Sequence, residues 1–156
     1  MRGSARVTVR EASEADRAAA MAFIAPGTTR GRLSMTLLRA SQGILWVAVT
    51  GEGASEQLVG LLLGVLHISA EPDELVGYIQ ELLVHPEFRR LGVANHLLDA
   101  AEAHFLDTLG CGSVSLVTSP ENDAALRLYR SRGYSMSQVR ISKRHAPRED
   151  GRERGR

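Results

Sequence analysis

The chain has a single cysteine, Cys111, in 156 residues. An internal disulfide is therefore impossible, and with no cysteine–histidine cluster at ligand spacing a structural zinc site is unsupported. No apolar run approaches the roughly 20 residues that cross a bilayer. The N-terminus, MRGSARVTVREAS, lacks the apolar stretch of a signal peptide. These absences point to a cytoplasmic protein with no membrane association. Aromatic residues make up only 4%. A nucleic-acid binder interleaves aromatics with basic residues on a folded face, and that pattern is missing. Lysine is scarce as well: of 19 basic residues only Lys143 is one, a bias that reflects genome composition.

What is present is ordinary for a globular domain, 44% hydrophobic and 24% charged. Net charge is +1, yet Lys143 to Arg156 carries six basic and three acidic residues, so the rest sums to about −2. Beyond Ala146 that tail has no apolar residue. Residues 145–156 read as a basic, solvated terminus, and 1–144 as one domain with one core.

Along the chain, Val7–Val9 is a short strand. Glu11–Ile24 has helical spacing, with Ser13 as N-cap and Asp16 three residues on. Pro26–Thr29 ends that helix, and Leu33–Ala40 is a weaker second one. Ile44–Thr50 and Leu58–Ser69 are strands. The second contains Gly60 and Gly64, which suggests a bend or a close approach by another element. Leu75–Val84 is the next strand, and a helix is expected over Arg89–Leu109. Ser113–Thr118 is a strand, Asp123–Ser131 a helix stopped by Gly133, and Tyr134–Arg144 a last strand or hairpin arm. The order β-α-α-β-β-β-α-β-α-β predicts an α/β fold, a mixed sheet with helices on both faces.

The most informative stretch is Leu82 to Ala94, LLVHPEFRRLGVA. Leu82, Leu83 and Val84 are strand-like, and Pro86 interrupts the ladder. Arg89-x-x-Gly92-x-Ala94 is expected on the first turns of the following helix. Backbone donors there lack intrahelical acceptors and the helix dipole is positive. Two arginines at an end that prefers acids favour an anionic ligand such as a diphosphate.

This stretch resembles motif A of the GCN5-related N-acetyltransferases. Asn122-Asp-Ala-Ala-Leu-Arg-Leu-Tyr129-Arg-Ser-Arg-Gly133-Tyr134 resembles the family's motif B, and the likeness extends from Val7 to about Lys143. Arg90 and Ala94 stand where many relatives have glycine. The resemblance implies a mostly antiparallel mixed sheet and transfer of an acetyl group from acetyl-coenzyme A to an amine, with no metal. It implies that the pantetheine arm pairs with the backbone of Leu82, Leu83 and Val84, and that one N–H, assigned to Leu83, faces the thioester carbonyl. It places the diphosphate against the backbone of Arg90, Leu91, Gly92, Val93, Ala94 and Asn95, with Arg89 assisting. Tyr129 would protonate the leaving thiolate. Asn122 would either bind pantetheine or cap its helix. Glu81 is the candidate general base, placed by strand alternation on one face with Ile79 and Leu83 unless a bulge intervenes. His85 is its rival, while His67, His96 and His104 read as structural. The amine acceptor, a small molecule or a protein, would lie among Phe23, Arg30, Arg32, Met35 and the loop at Glu71–Glu74. Many relatives are homodimers.

Two other readings compete. A non-catalytic acyl-coenzyme A sensor would keep motif A and lose the acid and the base. A dinucleotide-binding fold is disfavoured, because the first glycine of Gly-x-Gly-x-x-Gly is missing before Gly92 and no acid sits at the ribose distance.

Overall fold

The computed structural model describes residues 6–24, 43–70 and 73–136. The expected second helix, Arg30, Arg32, Met35, Glu71, most of the last strand and the basic tail lie outside them. The chain forms two compact units, Met1–Val117 and Thr118–Arg156.

The first unit is built on a five-stranded sheet: β1 (Val7–Glu11), β2 (Gly43–Thr50), β3 (Gln57–Ala70), β4 (Asp73–Val84) and β5 (Ser113–Leu116). Their spatial order is β1-β2-β3-β4-β5. The first four pair antiparallel and β5 joins β4 in parallel. This is the mixed, mostly antiparallel sheet expected.

Helix α1 (Asp16–Phe23) covers one face. Ala20 and Ile24 are buried there with Leu45, Val47, Val49, Leu61 and Leu63. The helix starts later than the sequence suggests, because Ser13 does not cap it. Instead the Ser13 N–H and hydroxyl both donate to the Asp16 carboxylate, at 2.6 and 2.7 Å. Asp16 also takes two bonds from the Arg10 guanidinium, at 2.6 and 3.1 Å. Arg10 ties the same point to Glu56 at 2.6 Å.

Helix α2 (Val93–Ala103) covers the opposite face, burying Val93, Leu97, Leu98 and Ala101. It passes into a π-helical turn, His104–Thr108. That turn lays the buried Phe105 ring on the sheet. A Cβ at Gly64 or at Gly77 would collide with it, and a Cβ at Gly60 would press on Val93 and Leu97 at 3.1 and 3.2 Å. The glycines of β3 thus mark a close helix approach. Trp46 adds an edge-to-face contact with Phe105, centroids 5.6 Å apart.

In the second unit, helix α3 (Asp123–Ser131) begins and ends where the sequence placed it.

Candidate functional site

The register of β4 decides what it can offer a ligand. β5 pairs with β4 only from Val76 to Ile79, ending at Leu116. From Gln80 to Val84, β4 has no described strand on that side, while its other side stays paired to β3. The His85 N–H donates to the Val59 carbonyl of β3 at 2.8 Å. Backbone groups alternate along a strand, so Leu83 turns its N–H and C=O towards β3. Leu82 and Val84 turn theirs to the open edge. This corrects the sequence expectation for Leu83: the N–H groups turned to the gap are those of Leu82 and Val84.

Between Leu63 and Gly64 the β3–β4 register slips, leaving Gln80 as an extra residue. This bulge reverses the alternation. Ile79 pairs with Gly64, on the α2 face, and Glu81 pairs with Leu63, on the α1 face. Glu81 therefore shares a face with Leu83 but not with Ile79, contrary to simple alternation. It is 4% exposed. Among the described residues it is the one buried charged side chain, not the solvated carboxylate of a sheet end.

The link from β4 to α2 is a loop, not the first turn of a helix. Pro86–Phe88 close a short 3-10 turn, and Gly92 is the N-cap of α2 with φ 82°. Arg90 also has positive φ, 62°. Two left-handed residues cannot sit in a right-handed helix, so α2 begins at Val93. Glycine takes this conformation without strain, whereas Arg90 carries a Cβ into it. The first α2 bond runs from the His96 N–H to the Gly92 carbonyl at 3.1 Å. The turn before it presents backbone donors at the positive end of the helix. Leu91 is exposed, 65%, while Val93 is buried on the sheet, so Val93 has only its backbone to offer. Arg89 directs its Nε–H to the Val84 carbonyl at 3.2 Å.

His85 sits with its ring 6.0 Å from Phe88 and 6.5 Å from Phe23 of α1. Its Nδ1 accepts a long bond, 3.4 Å, from the Glu87 N–H. In the neutral ring that leaves the proton on Nε2, which weakens the case for His85 as a proton acceptor.

In the second unit, the Asn122 Oδ1 accepts the Ala125 N–H at 3.1 Å and so caps α3. Tyr129 is half-buried, and burial pushes its phenol above the ordinary value. Its ring meets Tyr134 edge-to-face, centroids 5.5 Å apart. No group of three or more metal-ligating side chains is found among the described residues.

An open strand edge beside a left-handed, donor-rich helix start is the arrangement that motif A implies. Residues 14–134 match the sequence profile of the acetyltransferase (GNAT) family. The chain belongs to the GNAT family. A mycothiol acetyltransferase of Cellulomonas flavigena is 32% identical over 120 residues, 72% of this chain and 34% of that protein. The chain thus spans about a third of the length of that relative. Among solved structures, this GNAT chain resembles a probable acetyltransferase, TM-score 0.74 at 18% identity over 90% of this chain and 99% of the other. It resembles AAC(6')-Iy in complex with a bisubstrate analogue, TM-score 0.72 at 19% identity over 91% and 99%. It also resembles a transcriptional regulator from Bacillus halodurans, TM-score 0.69 at 22% identity over 90% and 100%. At these identities the structural likeness speaks for the fold. No helix among the described residues is long and apolar enough to cross a membrane.

Proposed function

We propose that this GNAT chain transfers the acetyl group of acetyl-coenzyme A to a primary amine. The observation that carries the reading is the edge of β4 from Gln80 to Val84, unpaired by any described strand, followed after the Pro86–Phe88 turn by the Arg89–Gly92 loop and the start of α2. The pantetheine arm adds to β4 as a strand would, pairing with Leu82 and Val84. The Leu82 N–H points at the thioester carbonyl and stabilises the charge that develops on its oxygen. Backbone donors from Arg90 through Leu91, Gly92, Val93, Ala94 and Asn95 receive the diphosphate, with Arg89 and Arg90 adding charge.

The amine nitrogen attacks the thioester carbon, and the C–S bond breaks as the amide forms. Glu81 takes the amine proton, directly or through water. Tyr129 gives its proton to the departing thiolate. A phenol raised by burial stays protonated at neutral pH, which suits an acid. It is also a weaker acid than a thiol of pKa about 8.5, so its proton moves as the C–S bond breaks rather than before. With its Oδ1 accepting the capping bond, Asn122 has its amide NH2 to offer the pantetheine.

The acceptor is the amine of a small molecule or of a protein, and the names of the relatives put aminoglycosides early among the amines to try. Acetyl-coenzyme A as co-substrate supports a cytoplasmic setting, and homodimerisation fits the family habit. The test is thiol release from acetyl-coenzyme A with a panel of aminoglycosides, polyamines, amino acids, arylalkylamines and peptides. Release that falls at least tenfold in Tyr129→Phe supports transfer with Tyr129 as acid. Coenzyme A binding with no release for any amine would return the chain to the sensor reading.

A further inference from the structure

Tyr129 and Tyr134 belong to one helix end. Gly133, φ 88°, turns the chain after α3. The Tyr134 N–H then donates to the Tyr129 carbonyl, and the Gly133 N–H to the Arg130 carbonyl, both at 3.0 Å. This crossed pair is a Schellman motif with glycine in its left-handed position. In that motif the residue after the glycine commonly packs against the residue whose carbonyl it binds. Here those two are tyrosines, with ring planes at 61° and centroids 5.5 Å apart.

We infer that Tyr134 is a positioning residue for Tyr129, fixing the direction of its phenol through the ring contact that the α3 stop signal creates. The inference rests on the reading of Tyr129 as the acid and adds the device that aims it. Helix α3 fixes the Tyr129 backbone, but its ring can still rotate about two bonds. An edge-to-face pair gains beyond its buried area, enough to favour one ring direction several-fold. Aim matters, because a proton donor must come within about 3 Å of the leaving atom, and a displacement of about 1 Å can lower a rate about a hundredfold. Burial displaces the Tyr129 phenol upward, and the Tyr134 ring is one of the groups in contact with it. Contact and capping bonds all lie within the second unit, and both follow from a glycine four residues after Tyr129.

The test uses the full chain with Tyr134→Phe, Tyr134→Leu and Tyr134→Met, beside Tyr129→Phe. Tyrosinate absorbance against pH is the first readout, with Tyr129→Phe assigning the signal. Tyr134→Phe keeps Tyr129 titrating above the ordinary phenol value, while Tyr134→Leu moves it back towards that value. Steady-state kinetics are the second. Tyr134→Leu lowers kcat about tenfold with KM for acetyl-coenzyme A unchanged, and Tyr134→Phe rescues. Tyr134→Met keeps the apolar contact of the cap without a flat ring, so it serves if Tyr134→Leu does not fold, and it should behave like Tyr134→Leu. An unmoved titration and full kcat in the ringless variants overturn the inference. So does a Tyr134→Phe variant as impaired as Tyr134→Leu, since that would place the role in the hydroxyl. If Tyr129→Phe is fully active, the acid reading fails, yet the titration still decides whether Tyr134 fixes Tyr129.

Discussion

The Arg89 Nε–H donates to the Val84 carbonyl at 3.2 Å, and that carbonyl lies on the side of β4 that β5 leaves open. Arg89 is therefore more than a charge near a diphosphate. It ties the loop to the strand edge on which the pantetheine is proposed to lie. A charge-assisted hydrogen bond contributes about 1.5–3 kcal/mol, so Arg89→Ala is expected to raise KM for acetyl-coenzyme A at least tenfold. Arg89→Lys restores charge but not the directed Nε–H, and should recover only part. Full recovery in the lysine variant would show that charge alone accounts for the residue.

Arg90 holds a left-handed backbone, φ 62°, at a cost of about 1–2 kcal/mol for a residue with a Cβ. Arg90→Gly removes that strain but gives the unfolded chain more freedom, worth up to about 1 kcal/mol. The expected result is a melting midpoint unchanged or a few degrees higher. A clear drop in midpoint would mean that the Arg90 side chain contributes packing or pairing that outweighs the strain.

Gly64 and Gly77 lie under the Phe105 ring, with no room for a Cβ at either position. Gly77→Ala should destabilise by about 1–3 kcal/mol, as overpacking does. Combining it with Phe105→Leu should cost less than the two single changes summed, because the smaller side chain makes room. Urea unfolding of the four proteins in this cycle measures the coupling. Simple additivity would remove the steric explanation.

Hydrogen bonding from Arg10 holds the Asp16 carboxyl well below the usual carboxylate range, with Ser13 adding to the effect. The folded pKa is depressed, so the stabilisation is complete above the unfolded value of about 3.9. It is lost as pH falls below that value towards the folded one. Arg10 is partly exposed, and solvent and salt moderate the pair. Asp16→Asn should therefore lower stability at pH 7 and flatten its fall between about pH 4 and 2. Denaturation midpoints across that range check it, and a parallel fall in both proteins would contradict it.

Glu81, buried on the α1 face by the bulge at Gln80, should matter to kcat rather than to coenzyme A binding. Glu81→Gln is expected to lower kcat at least tenfold, with KM for acetyl-coenzyme A within about twofold, in line with the usual contribution of a general base. Unchanged kcat would move the base elsewhere.

Several element ends are legible along the chain, because their cues are local: Pro86 interrupts β4 and Gly133 stops α3, each through its own backbone. Asn122, for which the sequence leaves ligand binding and capping open, caps α3 with its side chain. What the chain alone leaves open are relations between strands: whether a bulge parts Glu81 from Ile79, and which N–H of Leu82, Leu83 and Val84 faces the gap. Both depend on the register against β3, where one extra residue reverses every side chain beyond it. The helix expected from Arg89 starts only at Val93, because residue spacing does not reveal a left-handed backbone at Arg90.

By itself, the sequence determined the family, the order of the described elements and the motif residues on which the candidate site is proposed, since motif spacing and helix-end chemistry are properties of contiguous residues. The tertiary structure alone decided which backbone groups face the open edge of β4, that Glu81 is buried opposite α2, and that Phe105 fills the space over two glycines. Those outcomes depend on pairing and packing between residues far apart in the chain, where a single bulge or a missing Cβ selects among arrangements that local propensity treats alike.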